Sequence, residues 1–437
     1  MTGRRRPTAR SVALEAIRRV IDERAYSTLV IPTLLARSGL DDRDRAFASE
    51  LAYGTLRRRI PIDHAIEASA TRPLDRMDPG VGHVLRLGVY QLSFLAVPAH
   101  AAVNETVALA APRERGFVNA ILRRLAGASP TEAVGGDANA IALRTGLAAW
   151  AVRELHVLIG DEAETAAAGF AHRAALCVRA NTSRTDVDAL LRALRGAGRD
   201  PRPAPLDPAC ILLDGGDPAT LPGYREGWFA VQDQASAFVV RALDPRPGDR
   251  VADLCAAPGG KAIDIATSVG PDGVAVAADR SERRVGLIAG QATRLGVRVR
   301  SLVQDSTVSA LASPFDRVLV DAPCSGIGSA RRRPELLWRV DPGRLTGFAA
   351  RQVRLLEAAG ELVRPGGRLV YSVCTFPRAE TDAVCDELLR TRRDLVPVAT
   401  PGPDGPSERH RLWPHRHGSD GMFVAAFVRS GERADPP

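Results

Sequence analysis

The sequence predicts a multidomain protein with an all-α front domain, a small α+β middle segment and a C-terminal α/β domain built on a parallel sheet. Three observations predict it. The chain has 437 residues, beyond the size at which one hydrophobic core usually keeps growing. Apolar residues recur at spacings of three and four from about Val12 to Leu125, and no alternating strand pattern competes there. After Asp244-Pro-Arg-Pro-Gly248 the texture changes, and apolar β-type runs alternate with helical patterns, as in a sheet covered on both faces.

The front domain is expected over residues 1–130. Ala13, Ala16, Ile17, Val20 and Ile21 set its helical rhythm, which Arg45 to Arg57, Gly82 to Leu95, His100 to Ala110 and Gly116 to Leu125 continue. A stretch rich in Gly, Ala, Ser and Pro near Ala126 to Ala138 reads as a linker. In the middle segment, 140–235, Ala140 to Ala171 looks helical, and a helix at Thr185 to Gly196 separates short strands at Cys177 to Asn181 and Ala209 to Leu213. The last domain, 236–430, should place strands at Arg250 to Leu254, Val274 to Ala278, Val297 to Val303, Arg317 to Val320 and Arg368 to Val373. A hairpin through His417-Gly-Ser-Asp-Gly421 should join Arg411 to Trp413 with Met422 to Val428.

Composition narrows the class. Forty-five per cent of residues are apolar, yet no uncharged apolar run of about 18 occurs and the basic start leads into an amphipathic pattern. A soluble, cytoplasmic protein is expected. The six cysteines, at 177, 210, 255, 324, 374 and 385, include no CxxC pair. That excludes a disulfide framework and a zinc site, leaving buried or catalytic thiols and no metal. A net charge of +8 fits a polyanionic partner, although a chain rich in Arg, Ala, Gly and Pro would reach it through composition alone. One lysine, Lys261, stands among 59 basic residues. Where Arg fills every other basic position, a lone Lys marks a site that needs a compact ammonium or a slim stem.

Lys261 closes the run Asp253, Leu254, Cys255, Ala256, Ala257, Pro258, Gly259, Gly260, Lys261. This run leaves a strand, turns through Pro258 and paired glycines, and enters a helix. In an open α/β sheet such a turn lies at the carboxyl edge, where ligands bind. The glycines let a ligand approach the backbone, and the helix N-terminus favours an anionic group. The spacing departs from GxGxxG, which weakens a nicotinamide dinucleotide reading. Asp279, with Arg280 beside it, ends the second strand, where a carboxylate can hold both hydroxyls of a ribose. Asp305 follows the third strand, placed to meet an adenine edge. Each Asp alone could be a turn residue or cap, but the succession points to an adenosine-type cofactor.

The fourth strand ends in Asp321-Ala-Pro-Cys324-Ser-Gly326 and the fifth in Tyr371-Ser-Val-Cys374-Thr375. A lone Cys at a strand end is usually a small buried hydrophobe. If these strands are neighbours, two thiols and a carboxylate converge on the cofactor crevice.

Here the chain resembles the RNA 5-methylcytosine methyltransferases of the RsmB/Sun (Fmu) type. The matching text is Asp253 to Lys261, Asp321 to Ser325, Arg331-Arg-Arg-Pro-Glu335 before Trp338, the Ser-Val-Cys374-Thr run, Val231-Gln-Asp-Gln-Ala-Ser236, and Asp420-Gly-Met-Phe423. Val373 and Thr375 are modest departures from the commoner residues around that cysteine. Leu85 to Tyr90, Pro98 to Glu105 and Gly116 to Arg124 look like the NusB-like RNA-binding domain at the front of such proteins. The resemblance covers almost the whole chain. It implies a Rossmann-like class I fold, S-adenosylmethionine as cofactor and rRNA, most specifically a 16S cytosine, as substrate. The middle segment is then an RNA-binding extension, and the working expectation is a monomer.

The resemblance also implies roles. Cys374 is the thiol that adds to cytosine C6, which makes C5 enamine-like. Cys324 assists removal of the C5 proton and elimination of the adduct. DNA cytosine-5 enzymes instead carry their nucleophile in a Pro-Cys motif, which would point to Cys324. Asp321 would hydrogen-bond the N3 and N4 edge of the base. Lys261 has two readings, an electrostatic role beside the cofactor loop or a contact to the base or catalytic groups. Arg57-Arg-Arg59, Arg123-Arg124, Arg331-Arg-Arg333 and Arg390-Thr-Arg-Arg393 are candidate phosphate contacts, and the target base should be unpaired or flipped out. An inert methyltransferase domain behind an RNA-binding module is the competing class. An amine or adenine methyltransferase would be expected to carry Asn/Asp-Pro-Pro-aromatic at the fourth strand.

Overall fold

Three helix starts in the front of the chain are written as side-chain caps. At the head of Ala9–Ile21, Thr8 and Ser11 cap each other reciprocally, and Asp41 and Asp78 cap Asp42–Arg57 and Pro79–Phe94. In the latter helix every residue from Val81 to Gln91 is buried, as in a helix surrounded by others. Gly88 admits Leu122 of the helix Arg115–Leu125, because a Cβ there would lie 2.6 Å from the leucine side chain. The computed structural model describes residues 6–127, 133–308, 310–312 and 314–431, so part of the expected linker at 126–138 lies outside the described residues.

Contacts divide the chain into two units, Met1–Arg173 with Ala330–Val340, and Ala174–Ser329 with Asp341–Pro437. The expected continuous helical stretch Ala140 to Ala171 is three helices, Ala138–Thr145, Ala149–Ile159 and Ala163–Ala171. The first ends where Gly146 takes a left-handed cap, φ +88°, and Gly160 caps the second. All three belong to the first unit. So does Ala330–Val340, which is held there by specific bonds. The fully buried Glu335 accepts from the Ser27 amide at 3.2 Å, and the Trp338 indole donates to the Leu56 carbonyl at 2.9 Å. The Arg59 guanidinium lies 4.0 Å over the Trp338 ring, and Arg339 donates to the carbonyls of Arg24 and Ala25.

The second unit opens with a small antiparallel sheet. Its strands β1 (Leu176–Ala180), β2 (Arg202–Pro203), β3 (Cys210–Leu213) and β4 (Phe229–Val231) run in the order β2-β3-β1-β4. The helix Val187–Gly196 adds Leu190, Leu191 and Leu194 to its core. The larger sheet comprises β5 (Arg250–Asp253), β6 (Val274–Asp279), β7 (Arg300–Val303), β8 (Phe315–Asp321), β9 (Val363–Val373), β10 (Leu395–Pro397), β11 (Arg409–Leu412) and β12 (Met422–Arg429). Its order is β10-β12-β9-β8-β5-β6-β7, with β11 also on β12.

Strands β5 to β9 pair in parallel. The expected parallel sheet is therefore mixed, because β12 of the terminal hairpin joins β9 antiparallel. Its residues from Met422 to Phe427 are all buried, the continuous apolar run of a strand covered on both faces. Since the parallel strands are consecutive neighbours, their carboxyl ends share one edge. Asp253, Asp279 and Asp321 terminate β5, β6 and β8, Asp305 follows β7, and Cys374 follows β9. Among the described residues no helix is long and apolar enough to cross a membrane, and no group of three or more His, Cys, Asp or Glu could hold a metal ion.

Candidate active site

The turn after β5 is shaped for close backbone approach. Gly259, φ +114°, precedes the helix Gly260–Val269, and a Cβ there would lie 3.2 Å from the backbone of Ile288. Arg284 and Gln291 fix the turn by donating to the carbonyls of Ala257 and Pro258, and the small side chains of Ala256 and Ala257 are buried beneath it. Asp253 is 1% exposed. One oxygen accepts from the Cys255 amide at 3.3 Å, while the other is buried with no hydrogen-bond partner. Burial, reinforced by the negative charge of Asp321, pushes its carboxyl up to about 7. Burial likewise pushes the Cys255 thiol up.

Asp279, 4% exposed, accepts from the Ser281 amide at 3.0 Å and faces Arg284 at 3.2 Å. Its neighbour Arg280 is exposed. Asp305 is open, and the amide and hydroxyl of Thr307, at 3.0 and 2.8 Å, hold its carboxyl below the usual range. Thus the three carboxylates form a gradient along the edge, from sealed at β5 to exposed beyond β7.

The other half of the edge carries the thiols. Strands β8 and β9 are paired with Asp321 opposite Ser372, so their following turns lie side by side. Cys324 Sγ and Cys374 Sγ are 3.5 Å apart. Lys261 Nζ donates to Asp321 Oδ2 at 2.7 Å and to Ser236 Oγ at 3.4 Å, and Ser372 Oγ donates to Asp321 Oδ1 at 2.7 Å. Both oxygens of Asp321 therefore accept, the arrangement of an ionised carboxylate. Burial opposes the charge on Lys261, but Asp321 more than compensates, aided by the negative forms of Cys374 and Asp253, and its ammonium is held above the usual range. The attraction is mutual, so Lys261 favours a thiolate at Cys374. The Cys324 thiol is pushed well up, first by its hydrogen bond with Cys374 and then by burial.

Several residues that hold this site escaped the motif reading. Glu380, fully buried, accepts from the Ser325 amide at 2.8 Å and from Gln352 at 3.1 Å. Gly328 donates to the Cys374 carbonyl at 3.0 Å, and its own carbonyl accepts from Gly421 at 2.8 Å. A Cβ on Gly328 would stand 2.1 Å from the Gly421 oxygen. This explains the Asp420-Gly-Met-Phe423 text, whose glycine packs against the thiol turns. Asp233 of the Val231 to Ser236 run accepts from the Asp420 amide at 3.2 Å, which ties a third stretch to the same place.

A sequence model of the 16S rRNA methyltransferase RsmB/F family matches residues 240–428, and one of the NusB family matches residues 7–127. A Mycobacterium tuberculosis protein, named only as a methyltransferase, is 40% identical over 98% of this chain and 98% of its own length. The ribosomal RNA small subunit methyltransferase B of Salmonella arizonae is 30% identical over 96% of this chain and 98% of its own. The chain belongs to the RsmB/F methyltransferase family. The crystal structure of PH0851 covers 96% of this chain and 98% of its own with a TM-score of 0.81 at 24% identity, which is a likeness of fold.

Family membership makes S-adenosylmethionine the cofactor, and the residues present fit it. The buried Asp253 oxygen without a protein partner is an acceptor suited to a hydroxyl or amine donor of such a cofactor. Among the basic runs, several charges are already engaged within their own unit. Arg58 donates to the carbonyls of Arg144 and Thr145, Arg59 pairs with Asp63, and Arg124 donates to Ser69. Arg390 pairs with Glu387, and Arg392 pairs with Asp394 and Glu361.

Proposed function

We propose that the chain methylates carbon 5 of a cytosine in small-subunit rRNA, through a covalent bond between Cys374 Sγ and cytosine C6. The observation that carries this reading is the meeting of two thiols 3.5 Å apart beside a carboxylate held by the lone lysine. When bound, S-adenosylmethionine supplies an electrophilic methyl group. Asp253 and Asp279, with the turn from Cys255 to Lys261 and with Arg280 and Asp305 at its rim, are the residues to hold it.

Cytosine C5 is too weak a nucleophile to take a methyl group unaided. Attack of the Cys374 thiolate on C6 forms the S–C bond and moves the electron pair of the 5,6 double bond toward C5, which can then bond to carbon. Lys261 favours that thiolate against the ordinary thiol pKa of about 8.5. Asp321, accepting through both oxygens, suits the cytosine N4 amino group, and a hydrogen bond donated to N3 would require a proton on the carboxyl. Afterwards the C5 proton leaves, assisted by Cys324, and the C5–H electrons restore the double bond as Cys374 Sγ departs. The Cys324 thiol is pushed well up by its hydrogen bond with Cys374, which suits Cys374 as the nucleophile.

In this reading the front domain, 1–130, and the segment 140–235 bind RNA, while 236–430 carries the chemistry. The protein acts in the cytoplasm, as a monomer, without a metal. A labelled-methyl assay on deproteinised small-subunit rRNA, followed by nucleoside analysis, tests the function. Label in 5-methylcytosine is the expected result, and label in any other nucleoside rejects it.

A further inference from the structure

We propose that Glu380 is a positioning residue for the two thiols, a buried carboxylate that sets the distance and orientation between Cys324 and Cys374. Its bonds fall on the residues that flank both cysteines. Glu380 Oε1 accepts from the Ser325 amide at 2.8 Å, immediately after Cys324. Its Oε2 accepts from the Thr375 hydroxyl at 3.4 Å, immediately after Cys374. The Ser325 and Thr375 hydroxyls are 2.7 Å apart, so the two turns are joined at one point.

Two further side chains close the clamp. Gln352 Nε2 bridges Glu380 Oε1, at 3.1 Å, and the Pro323 carbonyl, at 3.0 Å, on the other side of Cys324. The Tyr371 hydroxyl donates to the Glu380 carbonyl at 2.7 Å, which anchors the short turn Arg378–Glu380 to β9. Pro323, Ser325 and Thr375 are thus fixed by a single carboxyl and its supports, leaving the intervening thiols to meet.

A fully buried carboxylate is costly to keep. Among the described residues no salt bridge reaches Glu380, and its direct partners are neutral donors from Ser325, Gln352 and Thr375. Burial raises its carboxyl while the Ser325 bonds draw it back. A packing role alone would be met by an apolar side chain at lower cost. An acceptor with two oxygens is what the convergence of these donors requires.

The proposal rests on the two-thiol reading of the site, yet its first test is independent of the reaction catalysed. In the full-length chain, the rate at which diamide forms a Cys324–Cys374 disulfide reports the thiol geometry, with mass mapping of the linked peptides as readout. Glu380→Ala should slow this rate by about tenfold, and Glu380→Gln, which keeps one acceptor, should recover part of it. With S-adenosylmethionine and rRNA, Glu380→Ala should lower kcat by about tenfold or more while both KM values stay within about twofold. Thr375→Val, which keeps the shape of the side chain, should give a smaller loss of the same kind and serves where Glu380→Ala does not fold.

Unchanged disulfide rates in folded Glu380→Gln and Thr375→Val, or losses confined to KM, would overturn the positioning role. Wild-type label outside 5-methylcytosine would reject the proposed reaction and leave the disulfide result standing on its own.

Discussion

The two halves of the catalytic edge are built by different means. On the cofactor side, Asp253, Asp279 and Asp305 each end or follow one strand and find their hydrogen-bond donors within two residues, at Cys255, Ser281 and Thr307. On the thiol side, Asp321, Cys324 and Cys374 are held by residues far off in the chain, among them Lys261, Glu380 and Gly421. The first half is assembled by strand order and local turns. The second is a knot of tertiary bonds, so a change there is expected to reach both thiols together.

The sharpest test of that difference separates the thiols. Cys374→Ala should abolish methyl transfer with no covalent complex, whereas Cys324→Ala should leave a protein–RNA adduct that survives denaturing electrophoresis; the reverse outcome would exchange their roles. Next in size, Asp321→Asn should cut kcat by roughly 10²-fold or more, since it removes the negative charge and leaves one of the two oxygens that accept from Lys261 and Ser372. An unchanged kcat would place the base elsewhere. Gly328→Ala forces a Cβ against Gly421 and Cys374 and should destabilise the fold by about 1–3 kcal/mol, read as a lowered denaturation midpoint together with lost activity.

The cofactor side should answer to pH instead. An unfolded Asp has a pKa of about 3.9, and burial pushes the folded Asp253 carboxyl up to about 7. Between those values the folded state holds a proton that the unfolded state has lost. This contribution to stability is therefore full below about pH 4 and is lost as pH rises to about 7. Asp253→Asn should flatten that fall in the cofactor-free protein by up to about 1.4 kcal/mol per pH unit. Asp264, pushed up to about 6 chiefly by burial, keeps part of the slope in place. An identical pH profile in wild type and variant would show Asp253 ionised throughout. Smallest of all, Arg390→Gln should leave RNA affinity and its salt dependence unaltered, because Glu387 already faces that charge at 2.6 Å; a reduced salt slope would return Arg390 to the RNA surface.

What could be read in advance follows the same divide. Strand ends spaced along the C-terminal domain announced Asp253, Asp279, Asp305 and Asp321, because one side chain per βα turn is a local pattern. The pairing of Cys324 with Cys374 needed only the adjacency of two strands. Glu380 carried no such signal, since a Glu in a short turn is ordinarily solvated and only its burial against Ser325 and Gln352 makes it special. The antiparallel entry of β12 was hidden in a hairpin motif that says nothing about which strand it joins. Likewise the three arginines before Trp338 read as candidate phosphate contacts, and nothing in that run announces that Glu335 and Trp338 beside them are bonded into the front unit.

That last segment gives the chain a peculiar order of completion. The front helices leave the ribosome first, yet the buried Glu335 that receives the Ser27 amide, and the Trp338 that lies beneath Arg59, are made some three hundred residues later. By then β5 to β8 have already been synthesised. Translation must therefore pass most of the parallel strands before the front unit has all its parts, and a chain that stops before Ala330 lacks the side chains that Ser27, Leu56 and Arg59 hold.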